Sequence, residues 1–203
     1  LGLRFSSGNS AGSITGFHSD YSNLIGRCRV SDTGCTPGSE FNGGKVKIAG
    51  AEVSAQHSMS VGENLKLELS LSYTYTESEF GSTFYSGFPQ WGLVREGDEL
   101  PYIPDSIGNE RISIFGGNWS FETSVDFQSK MREVPGIERI EEDLHSDEFA
   151  TVDISFSFQP LESVTLQALF LNVTDKSAIV SHRPFGARPN RPRSLVGRIK
   201  YEF

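Results

Sequence analysis

Long apolar runs are absent from this sequence of 203 residues, whose apolar stretches are all interrupted by Ser, Thr, Glu or Lys. A transmembrane α-helix needs about 18 or more consecutive apolar residues. The sequence therefore excludes a helical membrane protein. It does not exclude a membrane β-barrel, because a tilted strand crosses the bilayer with about 9–11 residues and alternates apolar with polar side chains.

Basic residues are also scarce, since 18 Lys and Arg stand against 26 Asp and Glu, which gives a formal net charge of −8. Nucleic-acid binding requires a basic face, so this charge argues against nucleic acid as a partner. A leader peptide is not recognisable either, because the chain opens directly in an apparent strand at Leu1. We expect either that a leader has been removed or that strands upstream of Leu1 are missing.

Cysteine is limited to Cys28 and Cys35, which lie in a polar stretch containing Gly and Pro that predicts a loop. A pair closing so short a loop favours a disulfide and fits an oxidising compartment such as the periplasm or the cell surface. Two free thiols are the alternative. A metal site is disfavoured, because no His or third Cys lies nearby. The four histidines are scattered without ligand spacing, at His18, His57, His145 and His182.

The abundant residues, 21 Gly and 15 Phe with many Ser and Thr, suit strands that carry apolar side chains on one face. In residues 65–75, Leu and Tyr at odd positions alternate with Lys, Glu, Ser and Thr at even ones, and the pattern recurs in 119–128, 152–158 and 195–203. Aromatics at strand ends suit an interfacial girdle. We predict that the apolar face meets lipid, with Leu67, Leu69, Phe121, Val125, Ile154, Phe156, Ile199 and Tyr201. The polar face should line a lumen, with Lys66, Glu68, Glu122, Asp126, Asp153 and Lys200.

One strand departs from this alternation. Val46 and Ile48 share a parity that Ala51, Val53 and Ala55 do not. A β-bulge near Gly50 would return all of them to one face, so the pattern predicts a bulge there.

The connections between strands alternate in length along the chain. Short ones cover 7–12, 60–64, 116–118 and 159–163, and long ones cover 27–44, 81–107, 133–148 and 175–192. Successive connections of antiparallel strands lie at opposite ends of the sheet, so one end has tight turns and the other large loops. This is typical of outer-membrane barrels, with short periplasmic turns and long extracellular loops.

The count of strands is about nine, which predicts an all-β, transmembrane, antiparallel up-and-down barrel that is incomplete. Single-chain bacterial barrels have even strand numbers. An open edge in lipid would leave backbone hydrogen-bonding groups unsatisfied. We therefore expect residues 1–203 to be one segment of a larger barrel.

Short segments spread over nearly the whole chain add a specific order and spacing. They are Asp20-Tyr21-Ser22-Asn23-Leu24-Ile25-Gly26, the Cys28 to Cys35 loop, Phe41-Asn42-Gly43-Gly44-Lys45-Val46, Gly50-Ala51-Glu52, Gly97-Asp98-Glu99-Leu100-Pro101-Tyr102-Ile103-Pro104, Asn172-Val173-Thr174-Asp175-Lys176, Arg191-Pro192-Arg193 and Tyr201-Glu202-Phe203. Together they resemble the late barrel of TonB-dependent receptors of the ferric-citrate type.

This resemblance implies a 22-stranded barrel with an N-terminal plug and a TonB box. Residues 1–203 would then be its C-terminal part, without the plug and the earlier strands. Such receptors bind a ferric siderophore or ferric citrate outside the cell and are opened by the inner-membrane TonB complex. Iron arrives already chelated, so no cofactor and no protein ligand for the metal is expected.

Several motifs have competing interpretations. The aromatic and cationic residues Phe84, Tyr85, Phe88, Trp91 and Arg95 could grip a chelate or could pack the loop itself. The arginines Arg183, Arg188, Arg191 and Arg193 could meet an anionic ligand or lipid phosphates, or could belong to an ordinary proline-containing loop. The acidic run from Glu138 to Glu148 could bind cations that bridge lipopolysaccharide, or could be a solvated loop.

Two further motifs bear on function. Gly8-Asn9-Ser10-Ala11-Gly12 matches a hydrolase pattern, but it joins two strands and predicts a tight turn. With no credible Ser/His/Asp set, we expect that the protein is not an enzyme. Tyr201 and Phe203 resemble the C-terminal signal recognised by the outer-membrane assembly machinery. The expected function is TonB-dependent uptake of a ferric chelate across the outer membrane, and the alternative is a passive porin or small structural barrel.

Overall fold

The computed structural model describes residues 1–28, 30, 35–88, 90–140, 142–183 and 186–203. Its strands are β1 (Gly2–Ser7), β2 (Ser10–Tyr21), β3 (Ile25–Arg27), β4 (Glu40–Asn42), β5 (Val46–Val61), β6 (Leu65–Phe80), β7 (Phe84–Tyr85), β8 (Leu93–Val94), β9 (Ser106–Phe115), β10 (Trp119–Gln128), β11 (Phe149–Leu161), β12 (Val164–Leu171), β13 (Ile179–Ser181), β14 (Arg188–Pro189) and β15 (Ser194–Tyr201). A short 3₁₀ helix covers Glu142–Leu144. Over these described residues no helix is long and apolar enough to cross a membrane.

Nine of the strands form one antiparallel sheet in the order β1-β2-β5-β6-β9-β10-β11-β12-β15. Each long strand pairs with the long strand that precedes it and the one that follows it, so the chain runs up and down across the sheet. The remaining strands form the small hairpins β3-β4, β7-β8 and β13-β14 within the long connections. The prediction of about nine antiparallel strands is confirmed, with β1 and β15 at the two edges of the sheet.

The register of the sheet sorts side chains by chemistry. Leu67 pairs with Ile114, Ile114 with Phe121, and Phe121 with Phe156, which gives a continuous apolar row across four strands. One residue further along, Glu68, Ser113, Glu122 and Ser155 form a polar row on the opposite face. All residues predicted to face lipid fall on the apolar face, and all those predicted to face the lumen fall on the polar one.

The connections separate the two ends of the sheet as predicted. At one end the turns cover only 8–9, 62–64, 116–118 and 162–163. Gly8 and Gly62 have φ values of +54° and +66° there, a backbone conformation that glycine adopts without steric cost. At the other end lie four long connections, here called loop 1 (22–45), loop 2 (81–105), loop 3 (129–148) and loop 4 (172–193).

The predicted bulge near Gly50 is wrong. The register of β5 with β2 and with β6 is continuous through Gly50, so Val46 and Ile48 lie on the polar face. They are apolar because loop 2 covers that face at this end, where Val46, Phe80, Val94 and Leu100 form a buried cluster with Ile48 packed against it. Gly50 is required for another reason, since a Cβ there would collide with the carbonyl oxygen of Tyr75.

A register irregularity does occur elsewhere, between Phe158 and Leu161 where β11 pairs with β12. It lies at the end of the sheet that carries the short turns. The alternation of apolar and polar residues in 152–158 gives no sign of it, because the irregularity begins where that pattern ends.

Candidate functional site

The loop end of the polar face carries a small hydrophobic core of its own. Trp91 makes edge contacts with Phe41, Phe80 and Phe88, at ring-centroid separations of 5.6, 5.6 and 5.8 Å. Phe84 contacts Phe80 at 5.7 Å. Burial of each large apolar side chain contributes about 1.5–3 kcal/mol, so this cluster fixes loop 2 against β5 and β6.

Loop 2 is also held by backbone hydrogen bonds at the end of β6. Phe80 donates its amide to the Asp98 carbonyl at 2.8 Å and accepts from the Gly97 amide at 2.8 Å. Gly97 has φ +90°, and the Asp98 carboxylate accepts from the Arg95 amide at 2.7 Å. Gly97 and Asp98, which begin the segment 97–104 that resembles the receptor family, therefore hold loop 2 against the end of β6.

Arg132 joins loop 3 to loop 2. Its side chain is only 7% exposed, and its Nε donates to Glu99 Oε2 at 2.7 Å while its Nη2 donates to the Glu138 carbonyl at 3.4 Å. Its own carbonyl accepts from the Tyr102 amide at 2.8 Å. Removing either partner would leave the buried guanidinium without one of its hydrogen bonds, so the junction between loops 2 and 3 depends on both partners.

Glu133 joins loop 3 to loop 4. Its side chain is 1% exposed, and Oε1 accepts from the His182 amide at 2.6 Å, with His182 Nδ1 at 3.4 Å. Arg183 Nε lies 3.9 Å from Oε2. A second junction is made by Asp147, whose carboxylate accepts from the Ile179 amide at 2.7 Å.

Loop 4 is anchored at its start by Asn172, a buried residue with φ +49°. Its side-chain Nδ2 donates to the carbonyls of Lys176 and Arg191 at 2.9 and 2.8 Å. Its backbone N–H donates to the Asp153 carboxylate at 2.7 Å. Asn tolerates this left-handed conformation better than most residues. The Asn172-Val173-Thr174-Asp175 segment is thus explained by loop architecture.

Loops 2, 3 and 4 line an open cavity of about 730 Å³. Asp105 and Lys130, which line it, follow the parity of the polar face of β9 and β10. Both residues lie just beyond the ends of these strands, so the cavity lies at the loop end of the sheet. Its lining among the described residues is Glu99, Ile103, Asp105, Lys130, Met131, Arg132, Ile137, Glu138, Arg139, Ile140, Asp143, His145, Asp147, Ile179 and His182.

Asp105 in the cavity lining has a carboxyl pKa that its surroundings shift. Partial burial raises the pKa of its carboxyl above the ordinary value, and the negative charge of Glu99 raises it further. Arg132 and Lys130 act in the opposite direction but do not cancel this effect. The larger cause, burial, acts on the charged form of Asp105 itself, and repulsion by Glu99 adds to it.

The residues predicted to bind ligand are not brought together. Phe84 and Trp91 belong to the hydrophobic core of loop 2, whereas Tyr85 is 82% exposed. Arg95 is exposed and Arg183 approaches Glu133. Arg188 lies exposed on β14. Their role in ligand binding stays a prediction.

The residues missed by sequence reasoning are Arg132 and Glu133, together with the cavity they help to close. Their partners lie 33 and 49 positions away in the sequence, at Glu99 and His182. A local pattern carries no signal of such pairing. In the sequence, the closely spaced charged residues Lys130, Arg132 and Glu133 are typical of a solvated loop.

The predicted disulfide between Cys28 and Cys35 is confirmed, and Cys28 is buried. Closing a loop of this length should stabilise loop 1 by roughly 2–3 kcal/mol. We expect no free thiol in the oxidised folded protein, and reduction should weaken loop 1 without unfolding the sheet. Thiol alkylation with mass spectrometry, before and after reduction, tests this. The Cys28→Ser, Cys35→Ser variant serves as the unreactive control, and alkylation of unreduced protein would contradict the expectation.

The predicted C-terminal assembly signal lies at and just beyond the end of β15. Tyr201 lies on the apolar face of β15, and its ring meets Phe203 at a centroid distance of 5.0 Å.

In the acidic run, Glu141 lies outside the described residues. Among the described residues, no group of three or more His, Cys, Asp or Glu is arranged to hold a metal ion.

Comparison with solved structures shows the same fold in outer-membrane receptors. The siderophore receptor PiuA from Acinetobacter baumannii matches with a TM-score of 0.70 and 14% identity, over 98% of this chain and 27% of that one. The ferric citrate transporter FecA in its unliganded form matches at 0.71 and 18%, over 100% and 30%. The outer membrane transporter YddB from Escherichia coli matches at 0.71 and 14%, over 100% and 32%. The chain thus spans about a third or less of their lengths.

Comparison by sequence gives the family. A search of curated proteins found no match. The family model for the TonB dependent receptor-like β-barrel matches residues 1–174. The match covers most of the chain, and the nine-stranded antiparallel sheet agrees with it. The chain therefore belongs to the TonB-dependent receptor-like β-barrel family of the outer membrane.

Proposed function

We propose that residues 1–203 form barrel wall and extracellular loops of a receptor that takes up a ferric chelate, a siderophore or ferric citrate, by TonB-dependent transport. The observation that carries the proposal is the open cavity of about 730 Å³ lined by loops 2, 3 and 4 at the loop end of the sheet. Its size falls within the range of small-molecule sites. The names of the similar structures, a siderophore receptor and a ferric citrate transporter, support the same class of cargo.

The iron is cargo in this proposal, and the chelate supplies its ligands. The chain's part is to hold the loops around the chelate, through the Arg132–Glu99 and Glu133–His182 junctions. Opening toward the periplasm would require a plug and the TonB complex as partners. Lipid, lipopolysaccharide and the barrel assembly machinery are the other partners we propose, the last through Tyr201 and Phe203.

Uptake of radioactive iron tests the proposal. A strain that lacks its own iron-chelate receptors is given the receptor containing this chain, and uptake is compared in the presence and absence of TonB. We expect uptake that depends on TonB and on cellular energy. Uptake that persists without TonB would instead favour the passive porin, and absence of uptake for every chelate class would overturn the transport proposal.

A further inference from the structure

A carboxylate, that of Glu110, lies in the middle of the apolar face of the sheet. The register pairs Glu110 with Leu71 on β6 and with Val125 on β10, and both neighbours belong to that face. Glu110 is the fifth of the ten residues of β9, and its side chain is exposed. Since a barrel strand crosses the bilayer with about 9–11 residues, this carboxylate lies near the middle of the crossing.

Glu110 is not neutralised from within the described part of the chain. Among the described residues, its side chain has neither a hydrogen bond nor an ion pair. The next residue in the sequence is a cation, Arg111, but successive residues of a strand point to opposite faces. Arg111 accordingly lies on the polar face, where its Nε is 3.7 Å from the Glu122 carboxylate.

The basic side chains of the apolar face lie at other depths. In the described strands of the nine-stranded sheet they are His18, Lys47 and His57. The first two lie near the loop end and are bonded to Asp20 and Glu79, at 3.0 and 2.9 Å. His57 lies nearer the short turns and is bonded to Ser10 Oγ at 2.8 Å. A second copy of this face would therefore present no basic group at the depth of Glu110.

The position of Glu110 is unfavourable if lipid alone covers it. A charged side chain on the lipid face of a barrel strand destabilises the protein most at the middle of the bilayer, although a carboxylate does so less than a lysine or arginine. Ionisable residues at this depth are rare and usually pair with an opposite charge. The side chains around Glu110 on its own face offer no such charge, because Leu71, Ile112 and Val125 are apolar.

We propose that the apolar face around Glu110, on β6, β9 and β10, is covered in the outer membrane by a second membrane protein that presents a lysine or arginine at the same depth. Charge identifies this occupant, because an ion pair inside the bilayer relieves the penalty of both charged groups. Leu71, Ile112 and Val125 pack against apolar side chains of the partner. The contact is separate from chelate transport, because it lies on the face of the sheet that is turned away from the predicted lumen.

The test is photo-crosslinking in cells of the native host that express the receptor containing this chain. A benzoylphenylalanine replaces Ile112, which is the next residue of β9 on the same face as Glu110. We expect an adduct with one distinct protein, and we expect Glu110→Leu to reduce it at least about tenfold while Glu110→Asp retains it. The matched control is benzoylphenylalanine at Ile199, an apolar-face residue of β15, where no adduct with that protein is expected.

Exchange of the two charges then tests the ion pair itself. Mass spectrometry of the adduct identifies the partner and the basic residue that lies at the contact. Glu110→Lys should abolish the adduct, and a glutamate in place of the partner's basic residue should restore it. Heat-modifiability on gels confirms that each variant of the receptor is folded.

Three outcomes would overturn the proposal. They are an adduct with lipid alone, an adduct with a second copy of the receptor, and a protein adduct that is equally strong in Glu110→Leu. None of them bears on iron-chelate uptake, which the transport experiment tests separately.

Discussion

Replacing Ile154 by Arg should destabilise the folded barrel by about 2–4 kcal/mol, because its side chain lies mid-strand on the apolar face, which we predict to meet lipid. Ile154 pairs with Thr123 on β10 and with Phe170 on β12. An arginine there would have to remain desolvated in hydrocarbon or distort the bilayer to reach water. The free energy of unfolding of the receptor containing this chain, measured by denaturant titration in lipid vesicles, gives the magnitude.

The matched control is the next residue in the strand. Ser155 lies on the polar face opposite Glu122, so an arginine there gains a carboxylate neighbour and retains water. We expect Ser155→Arg to cost less than about 1 kcal/mol. Equal penalties at the two positions would contradict the assignment of the two faces.

Removing the Glu133 carboxylate should open the junction between loops 3 and 4. Glu133→Ala leaves the His182 amide without its acceptor in a buried site and leaves Arg183 without its carboxylate. A hydrogen bond to a charged group contributes about 1.5–3 kcal/mol. The change is local, since the nine-stranded sheet does not depend on this contact.

Hydrogen exchange at the His182 amide measures this effect directly, because that amide is the donor to Glu133. We expect a fall in its protection of roughly 10- to 150-fold, the equivalent of that free energy. Glu133→Gln keeps an acceptor oxygen and should lose less protection. Unchanged exchange at His182 in Glu133→Ala would show that the junction does not hold loop 4.

The loops illustrate why site prediction from sequence was limited. Phe84 and Trp91 have the residue types of a ligand-gripping loop, and the structure places both in the hydrophobic core around Phe80. Composition alone does not distinguish an aromatic that contacts a ligand from one that packs a loop, because both need a partly buried apolar surface. The cavity depends on contacts between residues far apart in the chain, which no local pattern encodes.

The sequence by itself determined the strands, their two faces and the ends of the sheet. A period of two places alternate side chains on opposite faces, whichever strand is the partner. The length of each connection is the number of residues between two predicted strands, so it can be counted in the sequence. The Cys28–Cys35 disulfide could also be predicted from the sequence, because both residues lie in one short loop.

Tertiary structure decided what covers each face and which loop residues meet. Val46 and Ile48 broke the alternation, and the sequence could not tell a bulge from a place where the polar face becomes covered. In the structure, loop 2 packs onto Phe80 and covers the polar face there. Arg132 is hydrogen-bonded to Glu99 of loop 2, and Glu133 is hydrogen-bonded to His182 of loop 4. An alternating pattern records only which side chains avoid water, whereas burial and pairing depend on which distant segment packs against them.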